Sequence, residues 1–564
     1  MSFSRAFLQD DIWQQSHDKD EQASVKRISL HYARARMMCL HSGLSAHDIQ
    51  HLTKKFWDFH FDLIAARDMT AFIIATIHIN LCIGTLSAFA KGRPDLSDLL
   101  ESLLRFDICG EFMLTEIGHG LDARNLETTA TLLPDGSFDL HTPNEAAAKA
   151  MPPTTPYSGV PRVAVVFARL IAGGEDRGVK PFLVWLSDSR HMKHGITSRA
   201  LPTRPGTKPL DHSITSFCHV RLCPKALLGS MSKPMDERGE FLRNIWRVSV
   251  GTLSLSIMGI SAIRVGTHIA AAYSQRRMTA SPDGQSRMPI MAFSTQQRPL
   301  IDGWVLGIVL DAYARRTTKA FTDPDLAPNV RHALAVVFKT AVIGSSSVLN
   351  SMLERCGWQG LFAFNQISEL ALTFQGNSIA EGDTLVLCIR LASELLGNKY
   401  TLLEAQDSST LLAQHESGMW TQIRNKVSEV GGYEHHRGEG FNRHVLPHCR
   451  SLVEAIGHRM AYEAARNSNV CPKILHLFER MCMGTDLGWY IENGHVTTKV
   501  FHDSLVDAYD AVLPDMLRSL DTARFDGYIT APIMTNESWN AFVRGLPSFR
   551  RPHGRRDRVY QPKL

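Results

Sequence analysis

Glu381 is an acidic residue that lies between an apolar pair and an expected helix. It follows Ile379 and Ala380 and precedes Gly382, after which an apolar helix is expected. A carboxylate removes a carbon-bound proton efficiently only when a dry, apolar site raises its pKa toward the working pH. An isolated glutamate at a helix start has a simpler interpretation as an N-terminal cap. The residues alone leave both interpretations open.

Two adjacent arginines form a second candidate for ligand chemistry. Arg276 and Arg277 end a long apolar stretch, and Gln296 and Gln297 begin the next helical segment. The planar guanidinium fork suits a diphosphate because it can bind two oxygens at once. Arginines at a helix end are also commonly just solvated, so this pair alone does not establish a ligand.

No metal site is predicted. The cluster His435, His436, His444, His448 and Cys449 fits no standard zinc spacing. We instead predict a long loop or a boundary region over residues 428–450, which are polar and rich in glycine and histidine. Walker A, GxGxxG, GxSxG and HExxH motifs do not occur in the sequence. The usual anchors of nucleotidases and of common hydrolases are therefore missing.

Composition describes a globular protein of several domains. The chain has 564 residues, of which 44% are hydrophobic and 21% charged. These values exclude disorder, a fibrous rod and a small secreted scaffold. A net charge of +5 is too small to predict nucleic-acid binding. The ten cysteines form no CxxC motif, so we expect buried, reduced thiols in an intracellular compartment.

The elements that must position these residues fall into three blocks along the chain. Apolar residues recur at helical spacing over residues 1–105. Residues 106–230 carry short β-branched runs separated by turns such as 134–136, Pro-Asp-Gly, which predicts a β-domain with a hairpin. Helical periodicity returns from residue 231. This order disfavours Rossmann and TIM architectures, in which strands and helices alternate.

An ordered series of motifs resembles the acyl-CoA oxidases, flavoproteins of the acyl-CoA dehydrogenase superfamily. Each piece alone is weak, but the whole series in order is specific. The motifs are Thr-Glu at 115–116, Gly-His-Gly at 118–120, Leu-Glu-Thr-Thr-Ala-Thr at 126–131, His-Thr-Pro at 141–143, Tyr273 with Arg276 and Arg277, Gln-Gln at 296–297, Cys-Gly-Trp-Gln-Gly at 356–360, Glu-Gly-Asp-Thr at 381–384 and Asp-Leu-Gly-Trp-Tyr at 486–490.

The resemblance implies an α+β fold that is mostly α. The expected order is an N-terminal helical domain (1–105), a middle β-domain at the flavin (106–230), a helical bundle with FAD and the base (231–400), an extra C-terminal helical domain (401–545) and a basic tail (546–564). FAD is expected between the β-domain and the bundle, partly held by a second subunit. A homodimer is therefore expected as well.

The resemblance also implies a role for each matching position. Glu381 is the expected general base, which removes the α-proton of a thioester as the β-hydride moves to the flavin. The expected cofactor contacts are Thr115, Glu116, Gly118 and His119 near the isoalloxazine, Thr154 near the flavin, Arg277, Gln297, Trp358 and Gly360 toward the diphosphate and adenine, and Asp383 and Thr384 beside the base.

Several positions depart from the family pattern. The family's Lys-Trp-Trp and Gly-Gly series is replaced by Lys-Ala-Met-Pro-Pro-Thr at residues 149–154. Trp358 replaces a glycine that lets the backbone approach phosphate, and Leu121 replaces a small polar residue. These changes lie around the cofactor and the acyl pocket, so they bear on the substrate more than on the fold.

Three functions are consistent with this pattern. The first is an acyl-CoA oxidase that converts an acyl-CoA or related thioester to the trans-2-enoyl thioester and reduces O2 to H2O2. The second is a flavin oxidase or dehydrogenase of specialised metabolism with a non-fatty-acyl substrate. The third is a non-enzymatic relative that lost its flavin, which the presence of Glu381 disfavours.

The termini and apolar stretches predict location. The last residues, Pro562, Lys563 and Leu564, resemble a weak variant of the peroxisomal import signal. We therefore expect a peroxisomal protein, or otherwise a cytoplasmic one. The N-terminus lacks the apolar core of a signal peptide. Polar residues interrupt the apolar stretches 69–90 and 249–273, so we predict buried helices and no membrane span.

Overall fold

Helices, then strands, then helices follow one another in a computed structural model that describes residues 3–13, 24–522 and 524–549. This order confirms the predicted α+β class with a helical majority. The exact domain boundaries stay predictions. All ten cysteines are free thiols, and most of them are buried.

The N-terminal part is helical behind a short 3-10 turn at Phe3–Ala6. Its helices are α1 (Ser24–Ser42), α2 (Ala46–His51), α3 (Lys54–His60), α4 (Ile64–Arg67), α5 (Met69–Thr76), α6 (Gly84–Phe89) and α7 (Pro94–Leu104). Asp68 caps α5 by accepting from the amide of Ala71. Between α5 and α6 the chain forms a π-helix, Ile77–Ile83. Such π-helical segments are rare and frequently occur at functional sites.

The β-domain contains two sheets. Its strands are β1 (Cys109–Met113), β2 (Thr129–Leu132), β3 (Phe138–His141), β4 (Lys149–Pro153), β5 (Arg162–Ala172), β6 (Glu175–Ser187), β7 (Ile196–Ala200), β8 (His212–Phe217) and β9 (Val220–Leu222). One sheet has the order β1-β5-β2-β3-β9 with β6 paired to β5, and the other has the order β4-β8-β7. The predicted hairpin across the Pro-Asp-Gly turn is confirmed as the β2–β3 pair.

The helical block after the β-domain surrounds one long buried helix, α9. The elements are α8 (Glu237–Asn244), α9 (Trp246–Arg276), β10 (Met278–Ala280), β11 (Arg287–Pro289), α10 (Ser294–Phe321), α11 (Pro328–Ser345), α12 (Val348–Arg355), α13 (Ile367–Gln375) and α14 (Thr384–Leu396). The buried helix predicted over residues 249–273 is confirmed, and Val250, Leu253, Ile257 and Ile260 form a fully buried face of α9. Small residues on α9 let neighbouring helices and loops approach closely.

The C-terminal part is helical as expected. Its helices are α15 (Leu411–Glu429), α16 (Glu439–His444), α17 (Leu446–Asn467), α18 (Pro472–Thr485), α19 (Leu487–Glu492), α20 (Thr498–Thr522) and α21 (Asn536–Gly545). The long loop predicted over residues 428–450 is wrong, since α16 and the start of α17 lie inside it. Phe441, Val445 and Cys449 are buried at four-residue spacing, which is the periodicity of a helix face.

The apolar helices lie inside the protein. Three helical stretches have the length and hydropathy of a membrane span: Met69–Phe89, Trp246–Arg276 and Pro328–Arg355. Between 61% and 83% of each apolar window is buried within the protein itself. Within the described residues, no group of three or more potential metal ligands comes together.

Candidate functional site

Glu381 lies in a strained turn between α13 and α14. Its φ is +57°, a left-handed conformation that side-chain-bearing residues rarely adopt. The partly buried side chain points at α9, where Gly251 leaves room for it. A Cβ atom at position 251 would lie 2.5 Å from Glu381 Cδ and 2.7 Å from Oε1. The absence of a side chain at Gly251 therefore defines where the carboxylate sits.

The backbone around Glu381 is held by two neighbouring helices. From α9, the hydroxyl of Thr252 donates to the carbonyl oxygen of Glu381 at 2.8 Å. From α11, Lys339 Nζ donates to Ala380 O at 2.7 Å and to Gly382 O at 2.5 Å. Three consecutive carbonyls thus receive hydrogen bonds from outside the turn. These contacts supply the surrounding structure that a strained conformation requires.

The electrostatics suit a proton acceptor. Burial raises the pKa of Glu381 to about 8, against the opposing effect of Lys339 and Arg247. Burial likewise lowers the pKa of the Lys339 ammonium to about 8, against the attraction of Glu381 and Asp383. A carboxyl with such a pKa exchanges its proton near neutral pH, as a general base must.

Arg247 is a buried guanidinium one helical turn before Gly251. Its Nε donates to Asn80 O at 2.8 Å and its Nη1 to Ile49 O at 3.0 Å. Asn80 belongs to the π-helix and returns a hydrogen bond from Nδ2 to Arg247 O at 3.1 Å. Burial lowers the pKa of Arg247 to about 9. The π-helix therefore holds the N-terminal end of α9 beside Glu381.

Asp383 and Thr384 stabilise the turn that carries Glu381. Asp383 caps α14 by accepting from the amide of Val386 at 3.1 Å. The buried hydroxyl of Thr384 donates to Ser378 O at 2.8 Å. Both side chains are thus engaged within the protein, and their cofactor contacts stay predictions.

A second group of predicted residues surrounds the carboxylate of Glu116 in the β-domain. It accepts from Lys149 Nζ at 2.9 Å, from the amides of Glu127 and Thr128 at 2.7 and 3.0 Å, and pairs with His119 Nδ1 at 3.0 Å. Burial raises the pKa of Glu116, but Lys149 and the backbone donors hold it below its usual value. The buried carboxylate of Glu116 therefore stabilises this loop through hydrogen bonds.

The loop around Glu116 connects β1 to β2, bridges to Lys149 of β4 and carries the other predicted residues. Thr115 O accepts from the amide of Ala150 at 3.0 Å, and the amide of Gly118 donates to Ala146 O at 2.8 Å. A side chain at position 118 would lie 3.0 Å from the Cβ of Ala146. Thr115, Gly118 and His119 thus lie together beside Lys149, and their contacts with a flavin stay predictions.

Thr154 lies at the end of β4 in a buried hydroxyl cluster. Its Oγ1 shares hydrogen bonds with Ser198 Oγ at 2.8 Å and Thr215 Oγ1 at 2.7 Å. Before it, Met151 has a φ of +78° and an exposed side chain, at a register shift between β4 and β8. The departure from the family pattern therefore forms a strained bulge with an apolar side chain facing outward.

The third group lies at the C-terminal end of α9. Arg277 is exposed and follows the last turn of the helix. Arg276 is instead held by the C-terminal part, donating from Nε to Ile533 O and from Nη1 to Asn536 Oδ1, both at 3.1 Å. Gln297 Nε2 donates to Met291 O at 2.8 Å. Arg277 therefore has the more available guanidinium of the pair.

The loop with Trp358 and Gly360 packs beside this helix end. Gln296 Nε2 donates to Arg355 O at 2.9 Å and links α10 to the loop. Trp358 is 60% exposed, and its ring contacts those of Phe362 and Trp539. A Cβ at position 360 would lie 2.1 Å from Leu353 O, so only glycine fits there.

The structure separates the third group from Glu381. Gly251 and Tyr273 lie on the same straight helix, 22 residues apart, which corresponds to about 33 Å. Within one chain, the residues at the end of α9 and the base at Glu381 are therefore at opposite ends of the bundle.

Sequence reasoning missed four residues that build the site: Arg247, Gly251, Thr252 and Lys339. One signal was available, because Lys339 is a lone charge inside the apolar run of α11 and buried lysines are rare. Gly251 was recognised only as a residue that permits close helix contact. Its role toward Glu381 depends on a contact distant in sequence, which periodicity does not report.

Comparisons with known proteins give a consistent result, although no family model matches the chain. Peroxisomal acyl-coenzyme A oxidase 3 of Homo sapiens is 24% identical over 344 residues, 55% of this chain and 48% of that protein. Acyl-coenzyme A oxidase 2 of Yarrowia lipolytica is 24% identical over 437 residues, 70% of this chain and 58% of that protein. The chain is thus similar in sequence to acyl-CoA oxidases over half or more of its length.

Solved structures of acyl-CoA oxidases share the fold over nearly the whole chain. Acyl-CoA oxidase 1 from Yarrowia lipolytica superposes with a TM-score of 0.77 at 18% identity, over 98% of this chain and 90% of that one. Acyl-CoA oxidase-1 of Caenorhabditis elegans, solved in complex with FAD and ATP, gives 0.78 at 18% identity, over 97% and 90%. By sequence, the chain spans about half the length of the first curated relatives it matches.

Proposed function

We propose that the protein is an FAD-dependent acyl-CoA oxidase that desaturates an acyl-CoA thioester between the α and β carbons. The observation that carries this proposal is Glu381, a carboxyl in a strained turn against Gly251 with a pKa raised to about 8. The relatives named acyl-CoA oxidases, and neighbours solved with FAD, support the same chemistry.

The residues present fit an FAD molecule. The exposed guanidinium of Arg277 suits a diphosphate, and the exposed ring of Trp358 can stack on a purine. The loop of Thr115, Gly118 and His119 would border the flavin ring. FAD, when bound, accepts the hydride from the β-carbon and passes its electrons to O2.

The protein's own part in the reaction is the removal of a proton. Glu381 in its ionised form takes the α-proton of the thioester. Burial limits the access of water that would otherwise compete for the carboxylate. Lys339 and Thr252 hold the backbone of the base, so that the carboxylate needs no reorientation during the step. Gly251 leaves the space in which the carboxylate rests.

The separation along α9 supports a homodimer. The residues at the helix end lie about 33 Å from Gly251, farther than an extended FAD can reach. One cofactor can use both groups only when Arg277 and Trp358 come from a second copy. The proposal therefore includes a homodimer with FAD shared between subunits.

The visible spectrum of the purified protein tests this function. We expect a yellow protein that bleaches when a medium-chain acyl-CoA is added without O2, and that recolours in air while forming H2O2. A yellow protein that is not bleached by any acyl-CoA would contradict the proposed substrate but not the proposed flavin cofactor. A colourless protein that ignores added FAD would contradict the flavin itself and favour the non-enzymatic alternative.

A specialised flavin oxidase or dehydrogenase with a non-fatty-acyl substrate is the second candidate. The strained bulge at Met151 favours it, because an exposed apolar side chain replaces the family's aromatic pair beside the expected flavin site. A substrate panel separates the two candidates. Reduction by a thioester other than straight-chain acyl-CoA, with none by the latter, would establish this second function.

We also propose a peroxisomal location, which the relatives named peroxisomal acyl-coenzyme A oxidases support. The candidate signal, Pro562 to Leu564, lies outside the described residues. A fluorescent protein fused to the N-terminus of the full chain should accumulate in peroxisomes and become cytosolic when the last three residues are removed. Unchanged import after that truncation would contradict the signal.

A further inference from the structure

Lys339 is a buried cation that forms no ion pair with a carboxylate among the residues that the structure describes. Only 1% of the residue is exposed, on the face of α11 that meets the turn of Glu381. A buried ammonium normally neutralises a bound anion, because an unpaired charge in the protein interior is costly. Lys339 instead donates to two backbone carbonyls, Ala380 O at 2.7 Å and Gly382 O at 2.5 Å.

Those two carbonyls belong to the residues on either side of Glu381. The turn needs such support, because Glu381 has a φ of +57° and Gly382 a φ of +93°. Two consecutive left-handed residues point their carbonyl oxygens in directions that regular structure does not satisfy. The ammonium of Lys339 satisfies both acceptors with a single group that can donate three hydrogen bonds.

We propose that Lys339 is the positioning residue for Glu381, holding the base in its left-handed conformation and keeping a positive charge beneath the carboxylate. This inference rests on the proposed function, since it assigns Lys339 a part in that same proton transfer. Lys339 acts through the backbone of Glu381 and does not contact the substrate.

The pair of Glu381 and Lys339 is surrounded by few other titratable groups. Arg247 faces it from α9, and Asp383 and Cys388 face it from α14. Burial raises the pKa of the Cys388 thiol to about 11, so this group is neutral at physiological pH. Lys339 is therefore the cation whose removal changes Glu381 most directly, ahead of Arg247.

Removal of Lys339 tests the proposal, with a matched control elsewhere in the protein. Lys339→Met removes the charge and the donors in a side chain of similar length. Lys180→Met removes a lysine equally buried in β6, which pairs with Glu240 at 2.6 Å far from the turn. Any change in titration, amide exchange or activity that is common to both variants reports the general effect of removing a buried lysine.

The first readout needs no substrate. An infrared difference titration against Glu381→Gln isolates the carboxyl band of Glu381. We expect its ionisation to move to higher pH by about one unit in Lys339→Met, because a nearby cation favours the carboxylate. Hydrogen exchange of the amides at 379–384 should be faster by about tenfold in the same variant. Lys180→Met should leave both unchanged.

The second readout uses the reaction. If the wild-type flavin is reduced by an acyl-CoA, we expect Lys339→Met to lower kcat by about 10- to 100-fold with little change in KM, since the base is displaced and not the substrate. If the wild-type flavin is not reduced, the proposed function fails, while the titration and exchange still decide whether Lys339 holds the turn.

A second variant covers a folding failure. Lys339→Gln keeps amide donors in a side chain of similar bulk but removes the charge. We expect it to preserve slow exchange of the amides at 379–384 while still moving the ionisation of Glu381 to higher pH. The proposal is overturned if neither substitution changes the titration or the exchange beyond the effect of Lys180→Met.

Discussion

At the scale of single residues, Glu381 combines three conditions that a general base requires. Its conformation is enforced by hydrogen bonds from Thr252 and Lys339, its carboxylate occupies the space left by Gly251, and burial raises its pKa to about 8. The sequence identified the residue through a motif. The motif could not show the left-handed turn, because the partners that enforce it lie on two other helices.

Substitution of the base should abolish turnover while leaving the flavin in place. Glu381→Gln keeps the shape of the side chain but cannot accept a proton, so we expect flavin reduction by acyl-CoA to slow by at least about 1000-fold. Stopped-flow reduction measures this rate, and the visible spectrum shows that FAD is retained. A variant that keeps the wild-type rate would rule out Glu381 as the base.

The pH dependence of the same step follows from the raised pKa. Only ionised Glu381 can act, so kcat/KM should rise about tenfold per pH unit below pH 8 and level off above it. A kcat/KM for the thioester that is constant between pH 6 and 8 at saturating O2 would contradict this pKa.

Stability should show the opposite trend. The folded-state pKa of Glu381 lies above the unfolded value of 4.5, so the folded protein binds this proton more tightly. Stability is therefore lost as pH rises from about 4.5 through 8. Glu381→Gln lacks this titration, and its free energy of unfolding relative to wild type should grow over that interval. Urea denaturation at pH 5 and pH 9 measures the difference, which should be much smaller at the lower pH.

At the scale of secondary structure, the site depends on α9 approaching the turn before α14 without a side chain between them. The sequence predicted the buried face of α9 correctly, because a repeating apolar pattern is local information. It failed over residues 428–450, where a polar stretch conceals three buried residues at helical spacing. The contact between Gly251 and Glu381 is long-range, and no local pattern encodes it.

A methyl group at position 251 should disturb the position of the Glu381 carboxylate. Gly251→Ala places a Cβ within 2.5 Å of Glu381 Cδ, so the carboxylate must move. We expect a loss of flavin reduction of at least about 100-fold and a destabilisation of about 1–3 kcal/mol. Gly344→Ala on α11 is the matched control, because only one atom lies within 4 Å, at 3.9 Å. The free energy of unfolding of this control variant should rise by up to about 1 kcal/mol, and its activity should be unchanged.

At the scale of the whole molecule, the order of helical and β parts could be predicted from the sequence, because each part has its own periodicity and turn chemistry. The assembly of the proposed site could not, since the residues expected to hold the diphosphate lie about 33 Å from the turn of Glu381 along α9. In the homodimer that we propose, the shared cofactor makes the dimer part of the catalytic unit.

Mixed dimers test this sharing. Glu381→Gln removes the base from one subunit, and Arg277→Glu removes the candidate diphosphate contact from the other. Each homodimer should be inactive, yet co-expression should restore partial activity, because each mixed dimer contains one site with an intact base and an intact arginine. No recovery in a confirmed mixed dimer would place both groups in the same subunit's site.

The left-handed turn at Glu381 also has an evolutionary consequence. A non-glycine residue in this conformation costs the fold about 1 kcal/mol or more, whereas glycine adopts it freely. A gene copy released from selection for chemistry would gain stability by replacing this glutamate with glycine or asparagine. The residue at this position in descendant sequences would then distinguish lineages that still desaturate substrate from lineages that keep only the scaffold.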